Sequence, residues 1–154
     1  MTLSVCVQFA SAAKHLPARA QVRRWALAAH RDAVADGEVT IRYVDEKEGR
    51  TLNRDFRGKD YATNVLTFVH EASPFHAKVV KNYSADIVIC APVIAREARE
   101  QNKTRAAHHG HMVLHGVLHA QGLDHENDTD AAAMEALEIA LLRRFRIKNP
   151  YDIE

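Results

Sequence analysis

Residues 108–125 read His-His-Gly-His-Met-Val-Leu-His-Gly-Val-Leu-His-Ala-Gln-Gly-Leu-Asp-His, and they contain six of the ten histidines of the chain. Apolar residues separate these histidines, which favours a helix packed in the core over a flexible polar tail. On such a helix His115 and His119 are four residues apart, so their imidazoles lie on one face, about 6 Å apart along the axis. Two side chains in that arrangement can reach one metal ion.

A third ligand requires the chain to turn, because a residue eight positions after His115 would lie about 12 Å away along the helix. Gly122 is where the helix can end, since glycine adopts the left-handed conformation that terminates helices. His125 can then return toward the histidine pair. Three neutral imidazoles with an open fourth position are typical of a catalytic zinc site, whereas structural zinc sites are closed.

Other interpretations of these histidines have to be weighed. His111 and His115 are also four residues apart, but no chain reversal follows them at the right distance. We therefore interpret His111 as a residue that packs beside the ligands or supports them. The alternative for the whole stretch is a helix whose buried histidines are simply hydrogen-bonded. The combination of the four-residue spacing, a glycine and a third histidine ten residues after the first favours the metal site.

Length and composition are those of one folded domain. The chain has 154 residues, 47% of them hydrophobic and 27% charged, so residues 1–154 are expected to form a single domain. No apolar run is long enough to span a bilayer and no basic-then-apolar segment opens the chain, so we expect a cytoplasmic protein without membrane contact. Cys6 and Cys90 lack metal-type spacing and are predicted to be buried, reduced thiols. The net charge of +1 neither excludes nor indicates nucleic acid.

Apolar periodicity predicts the element order. Alternating or continuous apolar runs predict strands at residues 3–9, 39–44, 63–69 and 85–90, the last in an inner position. Periodic apolar residues and caps predict helices at residues 17–34, 46–57, 92–103 and 105–121, and a last one from 127–130 to Pro150. The last helix is expected to bury Met134, Leu137, Leu141 and Phe145, and residues 70–83 to form a loop. The order predicts a single α+β domain, with a mixed four-stranded sheet, about five helices and a metal site at the end of the central histidine-rich helix.

Three arginines follow one stripe of the second predicted helix. Arg50, Arg54 and Arg57 fall at positions i, i+4 and i+7. For Arg50 and Arg54 a solvated helix face is the favoured interpretation. Arg57 differs, because it begins the sequence Arg-Gly-Lys-Asp at the point where the helix must stop. An arginine at such a bend can fork two hydrogen bonds onto a phosphate.

The sequence from His115 to His125 closely resembles the zinc signature of the bacterial YbeY family of endoribonucleases, which act in ribosomal RNA maturation. Residues 52–68, which contain Phe-Arg-Gly-Lys-Asp and Thr-Asn-Val-Leu-Thr-Phe, and residues 85–89, Ala-Asp-Ile-Val-Ile, support the resemblance. Two departures are conservative in shape and leave the ligands untouched. Ala85 stands where the family often has glycine, and Leu123 where it has an aromatic residue.

The resemblance implies a metal-dependent, single-strand-specific endoribonuclease that acts in maturation of the 3′ end of 16S ribosomal RNA and in ribosome quality control. The implied partners are RNA and the small ribosomal subunit or its proteins. By position, His115, His119 and His125 correspond to the ligands of one zinc ion, which nickel or copper could replace. Arg57 corresponds to the functionally important arginine, so Arg57 and His115 are predicted as catalytic residues, and Arg57 and Lys59 as RNA-binding residues.

Two other functions compete with this interpretation. The histidine spacing is also that of a large class of zinc proteases, which place a glutamate directly after the first histidine as general base. Gly116 occupies that position here, so a metallopeptidase-like hydrolase ranks second. The other alternative is a non-catalytic ribosome assembly factor with a structural metal. The sequence also leaves open whether water or the 2′-hydroxyl of the RNA attacks the phosphate.

Overall fold

In the computed structural model, which describes residues 2–31, 36–70, 82–123 and 126–152, four strands form one sheet. The strands are β1 (Thr2–Ala10), β2 (Asp36–Val44), β3 (Val65–Val69) and β4 (Tyr83–Cys90). Their spatial order is β1-β2-β4-β3, with parallel pairing except between β3 and β4, which are antiparallel. The sheet is therefore mixed as predicted, and β4 has the inner position that its apolar run indicates.

Within the described ranges, five helices pack on this sheet. They are α1 (Arg19–Ala29), α2 (Glu46–Arg57), α3 (Ala91–Glu100), α4 (Arg105–Ala120) and α5 (Asp128–Arg144). The predicted single α+β domain is thus confirmed. Among the described residues, none of the helices is both long and apolar enough to cross a membrane.

Several predicted helix boundaries are wrong by a few residues. The helices end where a cap residue leaves the helical conformation, which is earlier than the apolar periodicity predicts. The first helix begins at Arg19 rather than at Pro17, and it ends at Ala29 because His30 is extended; residues 32–34 of that prediction lie outside the described residues. The third helix stops at Glu100, just before Asn102 takes a left-handed φ of 55°. The last helix ends at Arg144, well before Pro150, because its cap residue Phe145 leaves the helical conformation and Arg146 takes a left-handed φ of 61°.

The two faces of the sheet carry different helices, since successive strand residues point to opposite sides. One face buries Ile87 and Ile89 against residues of α1, α4 and α5 in the main hydrophobic core. The other face buries Leu66 and Val88 in a smaller cluster, against which Leu52 of α2 packs. The prediction that both cysteines are buried is wrong for one of them. Cys90 belongs to the smaller cluster, whereas Cys6 points outward from the edge strand β1 and is exposed.

Helix α4 is central and largely enclosed. Its N-terminus is capped by Thr104, whose Oγ1 accepts a hydrogen bond from the Ala107 N–H over 3.1 Å. Its middle lies so close to β4 that an ideal Cβ at Gly116 would be 2.8 Å from Cγ2 of Ile87. Only glycine permits this approach without a shift of the sheet or the helix. The close contact fixes the height of the neighbouring histidines relative to the sheet.

Candidate functional site

His115 and His119 form a stacked, half-buried pair on one side of α4. Their ring centroids are 6.4 Å apart and their planes differ by 6°. The helix ends one residue after His119, and Gly122 has the predicted left-handed conformation, with a φ of 99°. The third predicted ligand, His125, lies outside the described residues. The structure therefore brings two of the three predicted ligands together at the place where the chain turns.

Hydrogen bonds orient both rings of this pair. Nδ1 of His115 lies 2.9 Å from Oε1 of Glu138, and Nδ1 of His119 lies 2.9 Å from the carbonyl oxygen of Leu123. Both acceptors are oxygens, so each Nδ1 carries the proton and each Nε2 carries the lone pair. A histidine that donates from one nitrogen to an oxygen and binds a metal through the other is the usual arrangement in metal sites. The donor chemistry of the pair thus fits a metal such as zinc.

Glu138 is a candidate site residue that sequence analysis missed. It lies on the inner stripe of α5 between Met134 and Leu142 and is only 1% exposed. Of the four apolar residues predicted for that stripe, Met134 is buried, whereas Leu137, Leu141 and Phe145 are partly buried at its side. The sequence signal that could have identified it is an acidic residue four positions after Met134, on the stripe predicted to be buried. A carboxylate at a buried helix position needs a hydrogen-bond or ion-pair partner.

Three donors surround the Glu138 carboxylate. Besides His115, Nε2 of His111 lies 3.0 Å from Oε1, and the Tyr151 hydroxyl donates to Oε2 over 2.7 Å. Burial raises the pKa of the carboxyl, but the hydrogen bonds from the His111 and His115 rings outweigh it and lower the pKa of Glu138 to about 2. The carboxylate is therefore charged at neutral pH and holds His111 and His115 by hydrogen bonds.

The same contacts permit a second metal arrangement. Within the described part of the chain, ligand atoms of His111, His115 and Glu138 lie within 4.8 Å of one another and could hold an ion. In that arrangement the ring nitrogens that now face Glu138 would have to give up their protons and bind the ion instead. The two candidate centres share His115, and they differ in whether His119 or His111 completes the site.

The remaining histidines of the stretch have structural surroundings. Nε2 of His108 lies 2.9 Å from Oε1 of Glu97, which also accepts a hydrogen bond from Asn64 over 3.0 Å. His109 packs against Tyr43 at a centroid distance of 5.5 Å. Burial lowers the pKa of both histidines, that of His109 to about 4. Both rings are therefore neutral parts of the core at neutral pH.

Arg57 and Lys59 lie at the end of α2, which packs on the opposite face of the sheet from α4. Gly58 caps the helix between them, as the predicted bend requires. Within the described ranges, neither side chain makes a hydrogen bond or an ion pair. Arg50, by contrast, forks onto Asp60 with two contacts of 2.8 and 2.9 Å. Arg57 thus differs from Arg50, which is already paired with an aspartate. The structure does not bring Arg57 or Lys59 into contact with the histidine pair.

The position after His115 bears on the peptidase alternative. Gly116 is buried against Ile87, and a Cβ atom added at Gly116 would already lie too close to the Ile87 side chain. A glutamate there would have to displace the buried Ile87 side chain, so the packing does not accommodate the general base that zinc proteases use. The packing argues against the peptidase-like mechanism.

Comparison with known proteins gives the family. A family model described as Endoribonuclease YbeY matches residues 9–146. The Thiobacillus denitrificans protein named Endoribonuclease YbeY is 51% identical over 150 residues, which are 97% of this chain and 96% of that protein. A Polaromonas protein of the same name is 52% identical over 147 residues, with coverage of 94% and 89%. The solution structure of a Thermotoga maritima protein matches with a TM-score of 0.59 at 23% identity over 95% of each chain, which supports the fold alone.

The matched residues include every element that carries the site, from α2 with Arg57 to α5 with Glu138. The resemblance inferred from the histidine signature is therefore confirmed over almost the whole sequence. This chain belongs to the YbeY family of endoribonucleases.

Proposed function

We propose that this protein is a metal-dependent endoribonuclease that cleaves single-stranded RNA. The observation that carries the proposal is the parallel pair of His115 and His119, each of which has its Nδ1 proton held by an oxygen. Family membership supports RNA as the substrate, since the relatives are named endoribonucleases.

The metal would be held by Nε2 of His115 and His119, with His125 as the proposed third ligand. Neutral imidazoles suit zinc, and nickel or copper could replace it. When bound, zinc supplies a Lewis acid that polarises a phosphoryl oxygen and favours deprotonation of a nucleophile. Glu138 orients the His115 ring and, through its negative charge, strengthens the donor character of that ring.

The RNA would be held by the cations at the end of α2. Arg57 is exposed and has no partner within the described ranges, so its guanidinium is available to fork onto a phosphate and to balance charge in the transition state. Lys59 provides a second cation for the RNA backbone. The nucleophile in the proposed reaction is either water or the 2′-hydroxyl of the RNA.

The proposal extends to the ribosome on the strength of the family resemblance. The substrate would be ribosomal RNA at the 3′ end of the 16S molecule, and the partner would be the small ribosomal subunit or its proteins. Maturation and quality control of ribosomes would then be the cellular role, with the cytoplasm as its location.

Cleavage and metal content measured on the same preparations test the proposal. We expect purified protein to contain about one zinc per chain and to cleave a single-stranded oligoribonucleotide but not its duplex. His115→Ala should lose both metal and cleavage, whereas His108→Asn, a change in the same helix at the Glu97 contact, should retain both. A 2′,3′-cyclic phosphate on the product would identify the 2′-hydroxyl as nucleophile. Metal-loaded protein that binds RNA without cleaving it would instead support the assembly-factor alternative.

A further inference from the structure

Exposed aromatic side chains lie at the end of α2 and in the segment that follows it. Phe56 is 68% exposed and Tyr61 55%, which are two of the six large hydrophobic residues that are exposed in the described ranges. The Phe56 ring meets the Phe68 ring edge to face at a centroid distance of 5.3 Å and an angle of 66°. We call Phe56 and Phe68 the aromatic pair. A concentration of exposed apolar surface at one place indicates a binding surface.

The backbone under the aromatic pair is firmly held. The buried side chain of Asn53 donates to the Tyr61 carbonyl oxygen over 2.7 Å, and the Asn53 carbonyl oxygen accepts from the Lys59 N–H over 3.3 Å. These bonds tie the segment after α2 back onto the helix. On the other side, Phe68 is fixed by the pairing of β3 with β4. The backbone at Phe56 and Phe68 is therefore fixed, which lowers the conformational entropy that is lost on binding.

The acidic side chains near the aromatic pair have ion-pair partners, whereas two of the basic ones do not within the described ranges. The carboxylates of Asp55, Asp60 and Asp86 each contact a basic side chain, respectively Arg54, Arg50 and His70. Arg57 and Lys59, one and three residues after Phe56, have no such partner within the described ranges. Two cations that follow Phe56 in the chain, Arg57 and Lys59, thus remain available to a ligand as far as the described residues show.

We infer that the aromatic pair stacks on a base of single-stranded RNA while Arg57 and Lys59 bind the adjoining phosphates. This inference rests on the proposed function and specifies how the RNA is held. Single-stranded nucleic acid offers one base face and one anion per nucleotide, which matches an exposed ring followed by unpaired cations. The bases of a duplex are stacked on one another, so the same surface would discriminate against double-stranded RNA. A purely apolar protein partner would bury both rings but would offer no negative charge to Arg57 and Lys59.

An abasic backbone separates stacking from phosphate binding. The probe is a fluorescent 2′-O-methyl oligoribonucleotide, which resists cleavage, compared with the same backbone lacking its bases, both titrated into metal-loaded protein. We expect Phe56→Ala to weaken binding of the intact strand by about tenfold. The abasic strand should bind the wild type as weakly as the intact strand binds Phe56→Ala, and Phe56→Ala should weaken abasic binding no further. Leu27→Ala, which truncates a side chain that is 46% exposed on α1, is the matched control and should change nothing.

Three outcomes would overturn the inference. Equal affinities of Phe56→Ala and Leu27→Ala for the intact strand would exclude stacking at this surface. An equal loss for the intact and abasic strands would show that Phe56 only supports the cations. Unchanged RNA binding with a lost interaction between the protein and small ribosomal subunits would make the aromatic pair a protein-binding surface. Failure of the proposed function looks different, because a wild type that never cleaves RNA could still show Phe56-dependent binding of bases.

Discussion

Oε1 of Glu138 lies 2.9 Å from Nδ1 of His115, in a place where the glutamate is only 1% exposed. A buried carboxylate is costly unless donors surround it. Here His111 and Tyr151 provide the other two donors. The result is a fixed negative charge behind the His115 ring, which joins α5 to the histidine pair on α4.

Glu138→Gln is expected to weaken zinc binding by about 10- to 100-fold, because the amide keeps the shape of the side chain but loses its negative charge. Affinity is measured by competition with a chromophoric chelator. Tyr151→Phe is the matched control, since it removes the contacts of the hydroxyl with both carboxylate oxygens and with His111 but keeps the charge of Glu138, and it should have a much smaller effect. If Glu138→Gln bound zinc as tightly as the wild type, Glu138 would have no role in positioning His115.

A pair of histidine variants decides between the two candidate metal centres. His119→Ala should lower the metal content far below that of the wild type, because it removes a ligand from the proposed site. His111→Ala should retain most of the metal, since His111 contacts Glu138 only as a hydrogen-bond donor in that arrangement. Metal analysis after dialysis measures both. The reverse result would place the ion between His111, His115 and Glu138.

Arg57→Ala is expected to leave fold and metal content unchanged but to lower RNA cleavage by at least about tenfold, which corresponds to roughly 1.4 kcal/mol of transition-state stabilisation. Arg57→Lys should restore the activity only in part, because an ammonium cannot make the two-pronged contact. Arg50→Ala is the control, since Arg50 is already forked onto Asp60. Single-turnover cleavage rates measure the effect. If Arg50→Ala and Arg57→Ala lost RNA affinity equally and neither changed the cleavage step, both arginines would belong to a general phosphate-binding surface.

Acid should destabilise the protein through His109. Burial lowers the pKa of this ring to about 4, so the unfolded chain takes up the proton at a higher pH than the folded chain does. Stability therefore falls as the pH drops, by about 2 kcal/mol from this residue between roughly pH 7 and 5. His109→Phe should lose a smaller part of its unfolding free energy over that range, measured by urea denaturation. His15→Asn, at an exposed position, should behave like the wild type, and a His109→Phe variant as acid-sensitive as the wild type would contradict the assignment.

Local sequence signals were sufficient for the element order and for the histidine pair. Apolar periodicity acts within one helix or strand, so it predicts five helices and four strands without knowledge of their partners. The same locality explains why His115 and His119 were found, since residues four apart on a helix share a face whatever surrounds it. The errors at helix ends have the same origin. A single extended or left-handed residue, such as His30 or Arg146, stops a helix without changing the apolar pattern.

The sequence by itself thus determined the order of the elements, the two neighbouring ligand candidates and the bend at Arg57. Only the tertiary structure decided that Glu138 faces His115, that Arg50 pairs with Asp60 while Arg57 has no ion-pair partner among the described residues, and that Phe56 meets Phe68 at the surface. Each of these contacts joins residues from different elements or turns. Their formation depends on how closely helices and strands approach, as Gly116 does against Ile87, and that approach is set by the packing of the whole core.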